Sequence, residues 1–563
     1  RVSNASYTDK KKFDKDIQDK LKESYVCKFR PINWDKVKKY TDSGNMYLFQ
    51  ITSKDFVRQN KGKDDLQTIY WNTVFTENSP FQLNGGGEVF YRKKAINNCN
   101  VKKGYENKPF VIENKRFTQE KFLFHCPIKL NYKNKSYSKP EYAIAELNNC
   151  LNQNISKSNK IQFLGIDRGE KHLAYYSLIN GEGEIIDQGS FNEINGQNYN
   201  KKLGEIEKER MDARKNWQTI GTIKGLKEGY ISQVVRKVAD LAIKHNAFIV
   251  LEDLNTGFKR GRQKIEKSIY QKFELALAKK LNFLVDKDAK YGENRSVTKA
   301  LQLTPPVNNY GDIENRKQVG IMLYTRANYT SQTDPVTGWR KSIYLKPGSE
   351  KSIKKQIIDN FLDIKYKDKN YQFTYIDKST DKKWVIFSGI NGKSLDRFRG
   401  KRGKDKNEWI VERQDINQIL DGVFADFDKN RSLLSQIINE NKELNKVDDH
   451  TAWESLRYAI ELIQQIRNTG KDKADNDFIL SPVRDEQGNH FDSRKATKKQ
   501  PDSGDANGAY NIARKGIIMV EHIKKGYSLF VCDAEWDAWL AGRGVWEKWL
   551  KSNKDLILYK NKK

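Results

Sequence analysis

Cysteine is scarce in this chain of 563 residues: Cys27, Cys99, Cys126, Cys150 and Cys532 lie far apart, and no two form a C-x-x-C pair. An odd, dispersed set supports neither a disulfide framework nor a zinc ribbon, so a reducing compartment fits best. Long apolar runs are also missing and the mean hydropathy is −0.84, which excludes a membrane span. The opening RVSNASYTDKKKFDKD lacks the apolar core of a secretion signal and begins on Arg1, so the chain reads as the back part of something longer. No internal repeat and no glycine-rich phosphate loop is present. Acidic residues are outnumbered, 73 Asp and Glu against 103 Lys and Arg, for a net charge of +30 and a pI near 9.5. That excess makes a polyanion the expected partner, nucleic acid first. What the chain does have, 37% hydrophobic residues with 26 Phe, 27 Tyr and 11 Trp, is too much for a mainly disordered polymer. Its length accommodates roughly three to five domains.

From Tyr47 to Pro127, short apolar or aromatic runs (MYLFQI, QTIYWNTVF, EVFYRK, KFLFHCPIKL) alternate with turn-rich pieces such as Asn84-Gly85-Gly86-Gly87, predicting a β-rich domain. Ile161 to Ile166 reads as a buried strand ending at Asp167, and a tight Asp-Arg-Gly turn leads to a second strand over Lys171 to Asn180. Residues 201 to 228 form a basic, helix-prone stretch with Trp217 alone among charges. Ile231, Val234, Val235, Val238, Leu241 and Ala242 then fall on one face of an amphipathic helix that should pack on a sheet. Ala247 to Leu251 is a second short apolar run, ending in Glu252-Asp253. Strand, helix and strand thus deliver two carboxylates to comparable strand ends.

From about 286 to 450 the composition shifts to Gly, Asn, Lys and Asp, including the basic run Arg397 to Lys406, and predicts an inserted, irregular basic domain. Thr451-Ala-Trp-Glu454 has the form of a capping box. Trp453, Leu456, Ile460 and Ile463 continue at helical steps, so Arg467 is expected on the buried face at the C-terminal end of that helix. Asp505 opens a helix rich in small residues that permit close packing.

Hydrolysis of a phosphodiester near neutral pH needs a nucleophilic water and relief of charge on the leaving oxygen. Two divalent metals about 3.5–4 Å apart supply both. Magnesium prefers hard oxygen donors, so a few Asp and Glu side chains from different elements suffice. Asp167, Glu252 and Asp505 fit that count, and their strand-end and helix-start positions suit an RNase H-like sheet. The plain alternative for any three acids at element ends is caps or solvated surface.

Three segments change the weighing: Leu-Gly-Ile-Asp167-Arg-Gly-Glu-Lys-His-Leu-Ala-Tyr-Tyr, Val-Leu-Glu252-Asp-Leu-Asn-Thr-Gly-Phe-Lys-Arg-Gly-Arg and Asp505-Ala-Asn-Gly-Ala-Tyr-Asn-Ile-Ala-Arg-Lys-Gly. In order, they closely resemble the split RuvC motifs of the type V-A CRISPR-associated RNA-guided endonucleases, the Cpf family. The resemblance runs from about Gly44 to the C-terminal region. It implies an α/β and α+β multidomain chain in which an RNase H-like RuvC domain is split by a bridge helix and a Nuc insertion and preceded by a β-rich wedge segment. The corresponding boundaries are wedge 1–150, RuvC 151–200, bridge helix 201–228, RuvC 229–285, Nuc 286–500 and RuvC 501–563. It also implies a metal-dependent endodeoxyribonuclease that cuts both strands of a guide-paired target and then single-stranded DNA. Asp167, Glu252 and Asp505 would hold two Mg2+ ions, with Mn2+ able to substitute and no zinc.

Gln465-Ile-Arg467-Asn resembles a family segment whose arginine is needed for cleavage. A guanidinium beside the scissile phosphate would stabilise transition-state charge; the alternative is a helix-end arginine bonded to last-turn carbonyls. Trp217 resembles the bridge-helix anchor into a recognition lobe, a lobe not expected among these residues; a merely solvated helix is the alternative. Arg92, Lys93, Lys115 and Arg116 in the wedge-like part, and Lys259, Arg260 and Arg262 after the second motif, are candidate phosphate contacts or ordinary surface charge. The implied partners are a guide RNA (crRNA), target and single-stranded DNA and an N-terminal recognition-lobe chain, in a prokaryotic cytoplasm with no membrane.

Departures from the family also carry expectations. Where family members that trim their own guide carry a histidine and lysines, this chain has Ile96-Asn-Asn-Cys-Asn100 and Ile112-Glu-Asn-Lys-Arg-Phe117, with no histidine between Tyr91 and Phe124. Guide processing there is expected to be lost or greatly weakened. Thr330-Ser-Gln-Thr-Asp-Pro-Val-Thr-Gly-Trp reads as a turn and not a metal site. Two other readings stand beside the leading one: a transposon-associated RuvC-like nuclease, and a noncatalytic guide-RNA-binding scaffold or incomplete fragment that needs a partner.

Overall fold

The computed structural model describes, besides isolated positions before residue 20, residues 33–46, 66–74, 82–83, 88–92, 121–125, 128–129, 139–155, 160–167, 174–194, 196–198, 221–253, 267–326, 328–402, 409–447, 451–469 and 477–554. The chain divides into two compact units, residues 1–136 with 283–301, and residues 137–282 with 302–563.

In the first unit, helix α1 (Trp34–Asp42) starts where the Asn33 side chain accepts hydrogen bonds from the Asp35 and Lys36 amides. Helix α2 spans Leu66–Val74, so the aromatic run QTIYWNTVF is helical where the sequence predicts a strand. Thr73 Oγ1 donates to the Ile69 carbonyl at 2.7 Å, and Thr68 and Thr73 are buried. Strand propensity reflects fit to a pleated, half-buried surface, and tertiary context overrides it here. The predicted β character appears in β1 (Glu88–Arg92), antiparallel to β2 (Lys121–His125). A short pair, Gln82–Leu83 with Ile128–Lys129, follows the same run.

The second unit opens with α3 (Pro140–Ile155), a helix that a boundary at residue 150 would cut. Its core is a six-stranded mixed sheet formed by β3 (Gln162–Asp167), β4 (Tyr175–Ile179), β5 (Ile185–Ser190), β6 (Ala247–Glu252), β7 (Gln318–Val319) and β8 (Met322–Thr325). Their order is β7-β8-β6-β3-β4-β5. Strands β3, β6 and β8 are parallel, whereas β4, β5 and β7 run antiparallel to their neighbours. The central runs FLGI and AFIVL are buried on both faces, as expected of strands covered from two sides. Helix α4 (Gly221–Lys244) packs on β6. Ile231, Val234, Val235, Val238, Leu241 and Ala242 are all buried, so the face read from the sequence is the packed one. At the short edge strand β7, Asn148 of α3 donates to the Gln318 carbonyl at 3.1 Å and accepts from the Gly320 amide at 2.8 Å. Those bonds occupy an edge that would otherwise present free backbone groups.

Helix α5 (Lys267–Asn282) packs against α4. Between β8 and the third acidic motif, the described residues are ordered around their own apolar core rather than irregular. Helix α6 (Glu350–Asn360) precedes a three-stranded antiparallel sheet of β9 (Asp363–Lys367), β10 (Asn370–Ile376) and β11 (Lys383–Phe387). On β10 the alternate residues Tyr371, Phe373 and Tyr375 are fully buried. Lys, Asp, Asn and Thr on the other faces make the stretch polar in composition without breaking the period of two, so composition alone conceals the strands. A long ladder of β12 (Asp396–Arg402) and β13 (Trp409–Asp415) follows, then α7 (Ile416–Val423), α8 (Leu433–Asn439) and α9 (Ala452–Ile463). The insertion closes with β14 (Arg467–Thr469), β15 (Asp477–Arg484) and β16 (His490–Asp492). Helices α10 (Gly504–Lys525), α11 (Asp533–Leu540) and α12 (Arg543–Ser552) complete the unit. Among the described residues no helix is long and apolar enough to cross a membrane.

Candidate active site

Asp167 is the last residue of β3 and Glu252 the last of β6. The strands are parallel, with Ile166 opposite Leu251. Continuing that register by one residue sets Asp167 beside Glu252, at the roughly 4.8 Å spacing of neighbouring strands and on the same face of the sheet. Both acids are buried, as is the following Asp253, which forms an ion pair with Lys317.

Helix α10 lies across that face, antiparallel to β3. A Cβ on Gly508 would collide with Asp167 Oδ2, and one on Gly165 with the Ala509 carbonyl oxygen. Farther along, Gly516 meets Phe163 and Val250. Strand residues 167, 165 and 163 therefore meet successively later parts of the helix. Only a helix of small residues can approach a strand this closely. The helix start consequently lies at the strand ends that carry Asp167 and Glu252. Ser503 caps it by accepting from the Ala506 amide, and Asp505 occupies the first turn, where the helix dipole favours a carboxylate. Asp505 is 1% exposed. Being three residues before Gly508, it belongs to the same helix face.

Arg467 is not on the helix from which the sequence projected it. Helix α9 stops at Ile463, and Arg467 opens β14, paired with Ile479 of β15. Its Nη2 donates to Asp505 Oδ1 at 3.0 Å. The last-turn carbonyls of α9, Leu462 and Ile463, accept from Arg397 instead.

Several buried polar residues here carried no signal in the sequence reading. Tyr175, opposite Asp167 in the β3–β4 ladder, donates its hydroxyl to Asp502 Oδ1 at 2.9 Å. Burial, and then the Asp502 charge, hold that phenol far above its ordinary pKa. Asn507 and Asn511, one turn apart on α10, donate to the Thr333 and Thr330 carbonyls at 2.8 Å each. Lys515, on the next turn, donates to the Arg326 and Asn328 carbonyls at 2.9 Å. Burial pushes the Lys515 ammonium down to about 8, against the opposing pull of Asp533 and Glu252. The i, i+4, i+8 spacing of Asn507, Asn511 and Lys515 along α10 was the available clue. Asp334, in the Asp-Pro-Val-Thr-Gly segment, accepts from the Val336 and Thr337 amides, and the segment forms a turn.

Asp167, Glu252 and Asp505 offer the hard oxygen donors that Mg2+ prefers. Their chemistry fits a divalent cation, although among the described residues no three His, Cys, Asp or Glu side chains are gathered closely enough to hold one ion. Asp505 instead directs one oxygen to Arg467. Trp217, Lys93, Lys115, Arg116, Lys259, Arg260 and Arg262 lie outside the described residues, as do residues 96–100 and 112–117. Arg92 ends β1 opposite Lys121, and only its backbone is described. Residues 142–535, well over half of the chain, match the family model of the RuvC nuclease domain. A mixed sheet whose two neighbouring strands end in carboxylates, crossed by a helix bearing a third, accompanies that match, and the chain belongs to the RuvC nuclease domain family.

Proposed function

We propose that this chain is the nuclease portion of a type V-A CRISPR effector, an RNA-guided, metal-dependent endodeoxyribonuclease. The observation that carries the reading is the register of Asp167 beside Glu252 under the helix that brings Asp505 to the same edge. In this reading the six-stranded sheet, β7 and β8 included, is the RNase H-like core, and the part of residues 286–500 that follows β8 is the Nuc insertion. The wedge lies in the first unit, before α3, and the bridge helix anchored by Trp217 lies between residue 201 and α4. Two Mg2+ ions, held by Asp167, Glu252 and Asp505, would supply an activated water and offset charge on the leaving oxygen.

The chain's own residues do the rest. Arg467 approaches the acidic edge from the insertion and stabilises charge on the phosphate. Tyr175 and Asp502 hold the segment leading into α10, so Asp505 keeps its place. Lys515, Asn507 and Asn511 fasten the chain leaving β8 to the same helix. The partners are a guide RNA, contacted through Arg92, Lys93, Lys115 and Arg116, and target and single-stranded DNA, with Lys259, Arg260 and Arg262 on phosphates. A recognition lobe completes the effector in a prokaryotic cytoplasm.

The test is Mg2+-dependent cleavage of a labelled single strand with guide and target supplied. Asp167→Ala should abolish cleavage while guide-RNA binding in a gel shift stays nearly intact. Unchanged cleavage removes the metal-site assignment. Binding of the guide by the wild-type chain without any turnover favours the scaffold reading instead.

A further inference from the structure

Arg397 is fully buried on β12, opposite Gln414. Its Nε donates to the Leu462 carbonyl at 3.1 Å, and its Nη2 to the carbonyls of Ile463 and Leu480 at 3.3 Å each. Leu462 and Ile463 are the last two residues of α9, where helical carbonyls have no partner within the helix. Leu480 lies on β15. One planar, multi-donor group therefore joins a helix end to a strand.

Only Gln464, Gln465 and Ile466 separate the anchored helix end from Arg467. This turn is held at further points from the same two strands. Gln465 Nε2 donates to the carbonyl of Phe398, the neighbour of Arg397, at 3.3 Å. The Leu480 amide donates to the Ile466 carbonyl at 2.9 Å. Arg467 itself pairs with Ile479, adjacent to Leu480. Every hydrogen bond of the Arg397 side chain thus lands on a residue shortly before Arg467 in sequence or next to its ladder partner.

The guanidinium is a costly way to fill that space. Its partners are main-chain carbonyls, its Nη1 has no hydrogen-bond partner, and burial, with Arg494 adding repulsion, pushes its pKa down to about 9. An apolar side chain of similar volume would suit the core at least as well. It could not supply directed donors to three carbonyls on two elements.

We propose that Arg397 is a positioning residue for Arg467: by tying the end of α9 to β15 it fixes the three-residue turn that aims the Arg467 guanidinium at Asp505. The role in cleavage rests on the proposed function, in which Arg467 acts at the nuclease site; the role in geometry does not.

The experiment uses the full chain with its guide and compares wild type, Arg397→Met, Arg397→Lys, Arg467→Ala and the double variant Arg397→Met/Arg467→Ala. Arg397→Lys keeps the charge but gathers its donors on one nitrogen, without the planar spread that reaches carbonyls on two elements, so it serves if the methionine variant fails to fold. Amide hydrogen exchange over residues 464–468 should speed up in both Arg397 variants while strands β9 to β11 stay protected. The kcat for strand cleavage should fall about tenfold to a hundredfold with KM within about twofold, the scale of a misplaced group near the reaction. The double variant should be no slower than Arg467→Ala alone. Unchanged exchange across 464–468, or a double variant slowed by the product of the single effects, overturns the proposal. If Arg467→Ala cleaves normally, the assignment of Arg467 to the nuclease site fails, and the exchange data still decide what Arg397 does.

Discussion

Arg467 and Asp505 meet at 3.0 Å, and they come from different parts of the second unit: the guanidinium from a hairpin of the insertion, the carboxylate from the first turn of the helix that crosses the core sheet. Arg467 remains 25% exposed at its side chain while Asp505 is enclosed. The cation therefore reaches solvent, where a phosphate can arrive, and the acid does not. An insertion that reads as an appendage in the sequence contributes one of the charges at the acidic edge.

Removing that charge should affect stability and chemistry differently. Arg467→Ala takes a charged partner from a buried carboxylate, a loss of about 1–3 kcal/mol. The helix start offsets about 0.3–1 kcal/mol of it. Thermal unfolding should show a modest decrease, whereas kcat for cleavage should fall about a hundredfold or more, as when a transition-state donor is removed. Arg467→Lys should recover most of the stability and little of the rate, because an ammonium lacks the planar fork.

Gly508→Ala tests the close approach of α10 to β3. Alanine is the better helix former by about 1 kcal/mol, so an open site would gain stability. Here the new methyl would overlap Asp167 Oδ2, and overpacking of about 1–3 kcal/mol wins. A lower melting temperature together with a cleavage rate reduced more than tenfold is expected. A stabilised, fully active variant would show that the helix does not rest on Asp167.

The strand-end acids were legible because each closes a β-branched apolar run too short for a helix of its own and bounded by turn or polar residues, so the first carboxylate after the run marks the end of a strand. The face of α4 was legible for a similar reason: six apolar residues at helical spacing bury together. Arg467 was not. The spacing from Trp453 to Arg467 continues past Ile463 by coincidence, and the helix ends where a buried arginine from a distant strand takes its last carbonyls. The order within 286–450 was concealed by charged residues on the outer faces of β9 to β11, which dilute composition but leave the alternation of Tyr371, Phe373 and Tyr375 intact. The Tyr175–Asp502 and Asn511–Thr330 bonds connect residues 327 and 181 apart, beyond the reach of any local pattern.

Metal binding should be visible without turnover. If Asp167, Glu252 and Asp505 hold divalent ions in the folded chain only, Mg2+ at ten times its dissociation constant stabilises by about 1.4 kcal/mol. The wild-type melting temperature should rise with Mg2+ or Mn2+ and return on adding EDTA. Asp167→Asn and Glu252→Gln should each lose most of that rise. A rise that survives both substitutions would place the ions elsewhere.

The buried Lys515 gives a pH dependence with a definite sign. Its folded-state pKa is about 8 and its unfolded value about 10.4, so between those limits the unfolded chain binds the extra proton. Stability linked to this group must therefore rise with pH from about 8 to about 10, by at most about 1.4 kcal/mol per pH unit. Below pH 8 both states carry the proton and the slope vanishes. Lys515→Met removes the titration, and it also strips the Arg326 and Asn328 carbonyls of their donor, at a cost of about 1–3 kcal/mol. Relief of the ammonium's burial offsets that cost below pH 8, and the wild type should gain stability relative to the variant as pH increases from 8 to 10. Denaturant unfolding of both proteins at half-unit pH intervals measures this directly. A constant difference across the window would mean that Lys515 titrates as an ordinary lysine, with its charge accommodated by Glu252 and Asp533.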